Sequence, residues 1–339
     1  MSVDAKQQCL NFDEADAPTR TTNSLKALYL ADLAAEPNSS ENTVRAYTGD
    51  IDRFVDWWHA ECVSKSGRKD DVRLITRFDI RAYLLKLDNE EHRKSTQARA
   101  MSAIREWFRW MGRKSYILTN EALEVSTPQV PEHLPHVQSP KNMERLCDSA
   151  GDGDSRWPAR DSAIIELLYC GGFLTSELAA LDVDDVVLAD EVVHVRGKGS
   201  TQRDVPIGEP AVVALNAYLN ERKDRLRTAK AQGTSTPALF INYHLRNLDQ
   251  PDKQARLTTR SICRIVKDIA IQLGLSPDIN PRALRTACVV HMIDGEADLR
   301  SAQQFLGHEN IKSTERFKRM AKGGLKAELE RTHPHGRKN

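Results

Sequence analysis

No tyrosine occurs after Tyr243 in this 339-residue chain, although the last hundred residues are polar, charged and rich in helix-forming segments. No apolar run approaches the ~20 residues that a bilayer-spanning helix needs. The six cysteines (Cys9, Cys62, Cys147, Cys170, Cys263, Cys288) include no CxxC pair, which argues against a zinc or disulfide framework and for isolated reduced thiols. The opening "MSVDAKQQCLNFDEADAPTR" is polar and acidic, unlike a signal or transit peptide, and is expected to be a disordered leader over residues 1–21. A net charge of +1 is too small for a uniformly basic surface. Binding to a polyanion would have to rest on local cationic faces.

What is present divides into two regions. Residues 22–127 read as a helical bundle. "NSSENTVRAYTGDIDRFVDWWHAEC" offers Ser and Asn caps followed by Val44, Tyr47, Ile51, Phe54, Val55 and Trp58 at helical spacing. "TRFDIRAYLLKL" repeats the period, and "RKSTQARAMSAIREWFRWMG" places Met101, Ile104, Phe108 and Met111 on one face. The opposite face of this last segment carries Arg93, Lys94, Arg99, Arg105 and Arg109. Trp57, Trp58, Trp107 and Trp110 are expected in the core. "EVSTPQVPEHLPHVQSP" then holds four prolines in seventeen residues without helical period, so residues 128–140 read as an interdomain linker.

Beyond the linker, helices are expected around Lys141–Ala150 and Ala159–Leu168. "DVVLADEVVHVRGKGSTQRDVPIG" alternates apolar and polar residues about Gly197 and Gly199, the pattern of a short antiparallel sheet. Helices follow at Glu209–Ala231, Thr258–Leu273, Pro281–Asp294, Leu299–Leu306 and about Ile311–Lys322. The fold class is therefore mainly α with a small antiparallel β-sheet. From Lys312 to Asn339 there are nine Lys or Arg against three Asp or Glu, either a solvated tail or a basic docking segment.

The blocks "RDSAIIELLYCGGFLTSELAALDVDDV", "VVHVRGKGSTQRDVPI", "PRALRTACVVHMIDGEADLRSAQQFLGHENIKSTERF" and "RTHPHG" resemble the catalytic domain of the tyrosine recombinases, or phage-type integrases. The helical region resembles that family's core-binding domain, and the likeness spans roughly Ser24 to Pro334. It implies a C-shaped clamp on duplex DNA, with a catalytic-type domain over 141–334 and a tail over 335–339. It also implies cleavage by a tyrosine hydroxyl that forms a 3′-phosphotyrosine and frees a 5′-hydroxyl. Two arginines and a histidine or lysine would hold the phosphate oxygens, and a sheet lysine would protonate the leaving oxygen. Neither metal nor cofactor is implied.

Carried over position by position, the lysine is Lys198, the second arginine Arg285 and the "LGH" histidine His308. Arg282 stands where histidine or lysine is usual, Leu174 where the first arginine is expected, and Phe317 where the nucleophile belongs. A phenyl ring has no oxygen to attack phosphorus, and Leu174 removes a charge-assisted phosphate contact. The candidate DNA-contacting residues are Arg93, Lys94, Arg99, Arg105, Lys198, Arg282, Arg285 and His308.

The resulting expectation is a DNA-binding protein unable to cleave, acting as a non-catalytic subunit or accessory factor in recombination, integration or transposition of a mobile element. Expected partners are double-stranded DNA and active tyrosine recombinases of the same element, or further copies through the C-terminal segment, where Leu325 and Leu329 lie four apart. A cytoplasmic, nucleoid-associated setting goes with this reading. Two alternatives stay open. One is an active integrase carrying an experimental replacement of its tyrosine, which leaves Leu174 unexplained. The other is an architectural or regulatory DNA binder without a recombinase partner.

Overall fold

Short polar side chains set the helix entries of the N-terminal unit. Thr21 opens α1 (Thr22–Ala35) by accepting from the Ser24 amide, and Ser40 opens α2 (Glu41–Trp57) through the Thr43 amide. α2 continues into a π-helical turn, Trp58–Lys65. Thr76 and Asp79 form a reciprocal capping box at the start of α3 (Arg77–Asn89), and α4 (Lys94–Arg113) completes the bundle. The structure is a computed structural model and describes residues 21–36, 39–131, 137–151, 155–197, 202–230, 236–245 and 254–307, with Phe317 and Met320. The expected leader (but for Thr21), the middle of the linker, the helix about 311–322 (but for Phe317 and Met320) and the C-terminal segment lie outside the described residues.

The chain divides into two compact units, Met1–Glu132 and His133–Asn339. The first is organised around aromatic rings. Phe54, Tyr83 and Trp107 meet in edge-on pairs, and Trp57, Trp58, Trp107 and Trp110 are all buried. Full burial of one such side chain is worth ~1.5–3 kcal/mol, so this cluster accounts for much of the bundle's stability.

In the second unit, proline opens both α5 (Pro140–Ala150) and α6 (Pro158–Cys170), where its missing N–H costs nothing. α6 is apolar on most sides, with Ala163, Ile164, Ile165, Leu167 and Leu168 all buried, and it serves as the central helix. A short helix, α7 (Thr175–Ala180), follows; at six residues it is too brief to leave a periodic signal in the sequence. The sheet is antiparallel with strand order β1 (Val186–Val187), β2 (Val192–Arg196), β3 (Gln202–Pro206). Val193 sits opposite Val205 on the buried side, while His194 opposes Asp204 on the exposed side. The remaining described helices are α8 (Glu209–Lys230), α9 (Thr259–Gln272), α10 (Pro281–Asp294) and α11 (Leu299–Leu306). No helix of the described residues is long and apolar enough to cross a membrane.

One buried cation ties α8 to the segment after it. Arg222 donates to the carbonyls of Thr236, Ala238 and Leu239, and burial pushes its pKa down. Replacing Arg222 with alanine strands several carbonyls, so thermal or urea unfolding should show a loss of ~3 kcal/mol. In the first unit, burial pushes the Asp79 carboxyl up, but hydrogen bonds from Arg68 and Thr76 outweigh it and hold the carboxyl below its usual range. Its contribution is therefore complete above the unfolded value of ~3.9 and disappears as pH falls through the lower folded value. Asp79→Asn should flatten the acid limb of the stability–pH curve, measured by urea unfolding between about pH 2.5 and 5.

Candidate functional site

The site lies where α6, α7, β3, α10 and α11 converge on one carboxylate. α6 ends at Gly171, and Gly172 takes a left-handed conformation (φ +58°) that turns the chain into "FLTSEL". A Cβ on Gly172 would lie 3.4 Å from Cys288 Sγ and from the Leu306 and Phe305 side chains, a tight fit on top of an unfavourable φ. The turn sets Leu174 at the N-cap of α7, where its backbone N–H donates to Glu177 Oε2 at 2.8 Å.

Glu177 is nearly buried and holds two guanidinium groups. Arg203, on β3, grips it with a two-pronged contact: Nη1 donates to Oε1 at 2.7 Å and Nη2 to Oε2 at 2.9 Å. The Arg203 Nε donates to the Phe305 carbonyl at the end of α11. Arg285, on α10, lies 3.7 Å from Glu177 Oε2. Its Nη1 donates to the Gly172 carbonyl at 2.6 Å and its Nη2 to the Leu306 carbonyl at 2.9 Å. Burial pushes the Arg285 pKa down and Glu177 pulls it up, with burial the larger influence. Only 6% of Arg285 is exposed. Gly307 then closes α11 in a left-handed conformation (φ +66°), and a Cβ there would come within 2.9 Å of Arg203 Cδ. A glycine is required on both counts.

The described sequence-derived residues differ in burial. Leu174 is 44% exposed, an isobutyl group at the rim of the Glu177 cluster. Arg282 is exposed one turn before Arg285, its amide capped by the Asn280 side chain. Phe317 is only 4% exposed and packs in an apolar cluster with Val289, Val290, Ala302 and Leu306. Lys198 and His308 lie outside the described residues. Glu177 and Arg203 were not singled out from sequence. A lone Glu in a short helix and a lone Arg on a strand carry no local signal; their role comes from a contact between residues 26 positions apart.

The cationic face of α4 is less free than its sequence suggests. Arg105 turns inward, donating to the carbonyls of Ala122 and Val125 and to the Thr127 hydroxyl. Lys94 pairs with Asp88, and Arg109 with Glu106. Arg93 is exposed at the helix start. Arg99 reaches across to α2, donating from Nε to Asp50 Oδ2 at 2.7 Å. No His, Cys, Asp or Glu group suited to holding a metal occurs among the described residues.

A helical unit followed by a mainly helical unit with a three-stranded sheet, and a buried arginine at the meeting of α6, α7 and α10, defines the tyrosine recombinase class of fold. Residues 137–324 match the phage integrase family profile, and residues 27–115 match the N-terminal SAM-like domain of phage integrases. The chain belongs to the phage integrase family. It is 31% identical over 303 residues to the tyrosine recombinase XerC of Syntrophus aciditrophicus, covering 89% of this chain and 94% of that one. It is 32% identical over 287 residues to XerC of Roseiflexus castenholzii, covering 85% and 86%. Among solved structures, the XerH site-specific recombinase bound to its palindromic difH substrate superposes with a TM-score of 0.66 at 14% identity, covering 93% of this chain and 90% of that one.

Removing the charge of Glu177 tests the cluster directly. Glu177→Gln leaves Arg203 and Arg285 close together without their shared counter-charge, so unfolding should show a loss of ~3–5 kcal/mol. Leu174→Ala, at the exposed rim, should change stability by less than ~1 kcal/mol in the same assay.

Proposed function

We propose that this chain is a duplex-DNA-binding recombinase-family protein that does not cut DNA, acting as a non-catalytic subunit or accessory factor in site-specific recombination, integration or transposition of a mobile element. The observation that carries the reading is Phe317. It stands at the nucleophile position of the family pattern, has no hydroxyl, and is packed into the apolar cluster between α10 and α11. Leu174 supports it independently, because the first phosphate-holding arginine is also missing while the surrounding scaffold is kept. Two unrelated parts of the cleavage apparatus are thus absent. A single experimental replacement accounts for only one of them.

The residues that remain suit holding rather than cutting. Lys198, Arg282, Arg285 and His308 supply cationic or donor groups at positions that contact the DNA backbone in the family pattern. A phosphodiester held this way is neutralised but not attacked. In a mixed assembly, active tyrosine recombinases of the same element would supply the nucleophile, and this chain would occupy the remaining positions on paired sites.

A nicked suicide substrate checks this. The wild-type chain should form no covalent protein–DNA adduct on denaturing gels at any enzyme concentration, and a stable adduct would sink the reading. Phe317→Tyr alone should give at most trace adduct. Adding Leu174→Arg should raise adduct formation by ~10²-fold or more, since one oxyanion-stabilising donor is typically worth 10²–10³ in rate.

A further inference from the structure

The α2–α4 contact carries a charged arrangement that the packing of the bundle does not fully explain. Asp50 on α2 is completely buried, with 0% exposure, and two arginines close over it. Arg99 on α4 grips it with Nε on Oδ2 at 2.7 Å and Nη2 on Oδ1 at 3.2 Å, and Arg53 on α2 pairs with Oδ1. Both arginine side chains remain about half exposed, 48% for Arg53 and 47% for Arg99. The Asp50–Arg53–Arg99 cluster carries a net charge of +1 and presents two guanidinium groups that a single carboxylate fixes in place.

A buried acid neutralised by two arginines could serve the fold alone. Gly49 is what that account leaves unexplained. It lies inside α2, where glycine costs ~1 kcal/mol relative to alanine. Its φ is not positive, and a Cβ placed on it would meet nothing within 4 Å. Nothing in the described chain therefore needs a glycine there. Arg45 and Arg53 lie one turn to either side on the same stripe, each ~6 Å along the axis. Arg45 is exposed and makes no ion pair among the described residues. Asp52, at the edge of the stripe, is turned to Lys26 on α1, and Asp56 marks its C-terminal end. A missing side chain, with Arg45 on one side and the clamped Arg53 and Arg99 on the other, leaves room for close approach of an anionic backbone.

We propose that Gly49 is the seat of a DNA backbone phosphate, flanked by Arg45 and Arg53, and that Asp50 is the positioning residue that holds Arg53 and Arg99 in the geometry to clasp it. This rests on the DNA-binding reading above and assigns part of that interface to α2. The fixed pair meets the phosphate without first losing side-chain freedom, which for arginine is worth up to ~2 kcal/mol per residue. The arrangement makes a prediction opposite in sign to simple electrostatics. Neutralising Asp50 raises the protein's positive charge yet releases both arginines.

Binding of a ~30-base-pair duplex should be measured across 50–300 mM salt, with thermal unfolding in parallel. The wild-type chain binds, and log Kd rises linearly with log salt. Gly49→Leu, whose Cβ meets nothing within 4 Å, keeps the melting temperature at or above the wild-type value and weakens binding ~10-fold. Asp50→Asn weakens binding ~5-fold. Arg53→Lys with Arg99→Lys, at unchanged net charge, also weakens it, because lysine lacks the planar fork. If Gly49→Leu binds as the wild type does, or a folded Asp50→Asn binds more tightly at every salt concentration, the proposal is overturned while the DNA-binding reading stands. If the wild-type chain binds no duplex, both fall. Should Asp50→Asn fail to fold, Gly49→Leu and the double lysine variant decide the matter.

Discussion

Glu177 is the fixed point of the second unit. One nearly buried carboxylate is costly without donors, and it finds them in Arg203 from the sheet, in the backbone at the start of α7, and in Arg285 from α10 at a longer reach. Both arginines then pass the connection onward to carbonyls at the end of α11, and Arg285 also to the turn after α6. Five separate elements are thus brought to one place by charge satisfaction. The two left-handed glycines are what let the chain approach closely enough for it to happen.

That arrangement makes sense of the combination at the heart of the molecule. Under the reading proposed above, the supports of a phosphate site are kept and two groups that would do chemistry are absent. Phe317 is held by packing against α10 and α11, an apolar environment that suits a ring without a hydroxyl. Leu174 keeps its backbone role at the cap of α7, a contact independent of side-chain identity. On the proposed reading, leucine at 174 and phenylalanine at 317 are therefore cheap for the fold while leaving a cation and an oxygen out of the site.

Much of the fold was legible in the sequence, since helical period, the alternation around Val193 and Val205, and proline density are local signals. The small antiparallel sheet and the described helices after it follow from them, and the four tryptophans lie in the core as expected. The candidate site was legible only in part. Motif order singled out Leu174, Arg285 and Phe317, whose roles stay proposals, while Glu177 and Arg203 meet across 26 residues and leave no periodic trace. Arg105 shows the opposite failure. It occupies the polar face of an amphipathic helix, yet its guanidinium staples the chain around Ala122 and Val125, because a helix surface pattern cannot tell solvent from a following segment folded back over it.

The carbonyl contacts of Arg285 have an evolutionary consequence. Selection for folding alone will preserve this arginine, and Glu177 and Arg203 with it, long after any selection for cleavage has ended. Retained arginines of this kind are poor markers of activity in relatives of this chain. If the proposed reading holds, positions that the scaffold does not lean on, such as the side chain at 174 and a hydroxyl at 317, are where loss of function would register first, and a survey that sorts active from inactive members should weigh those.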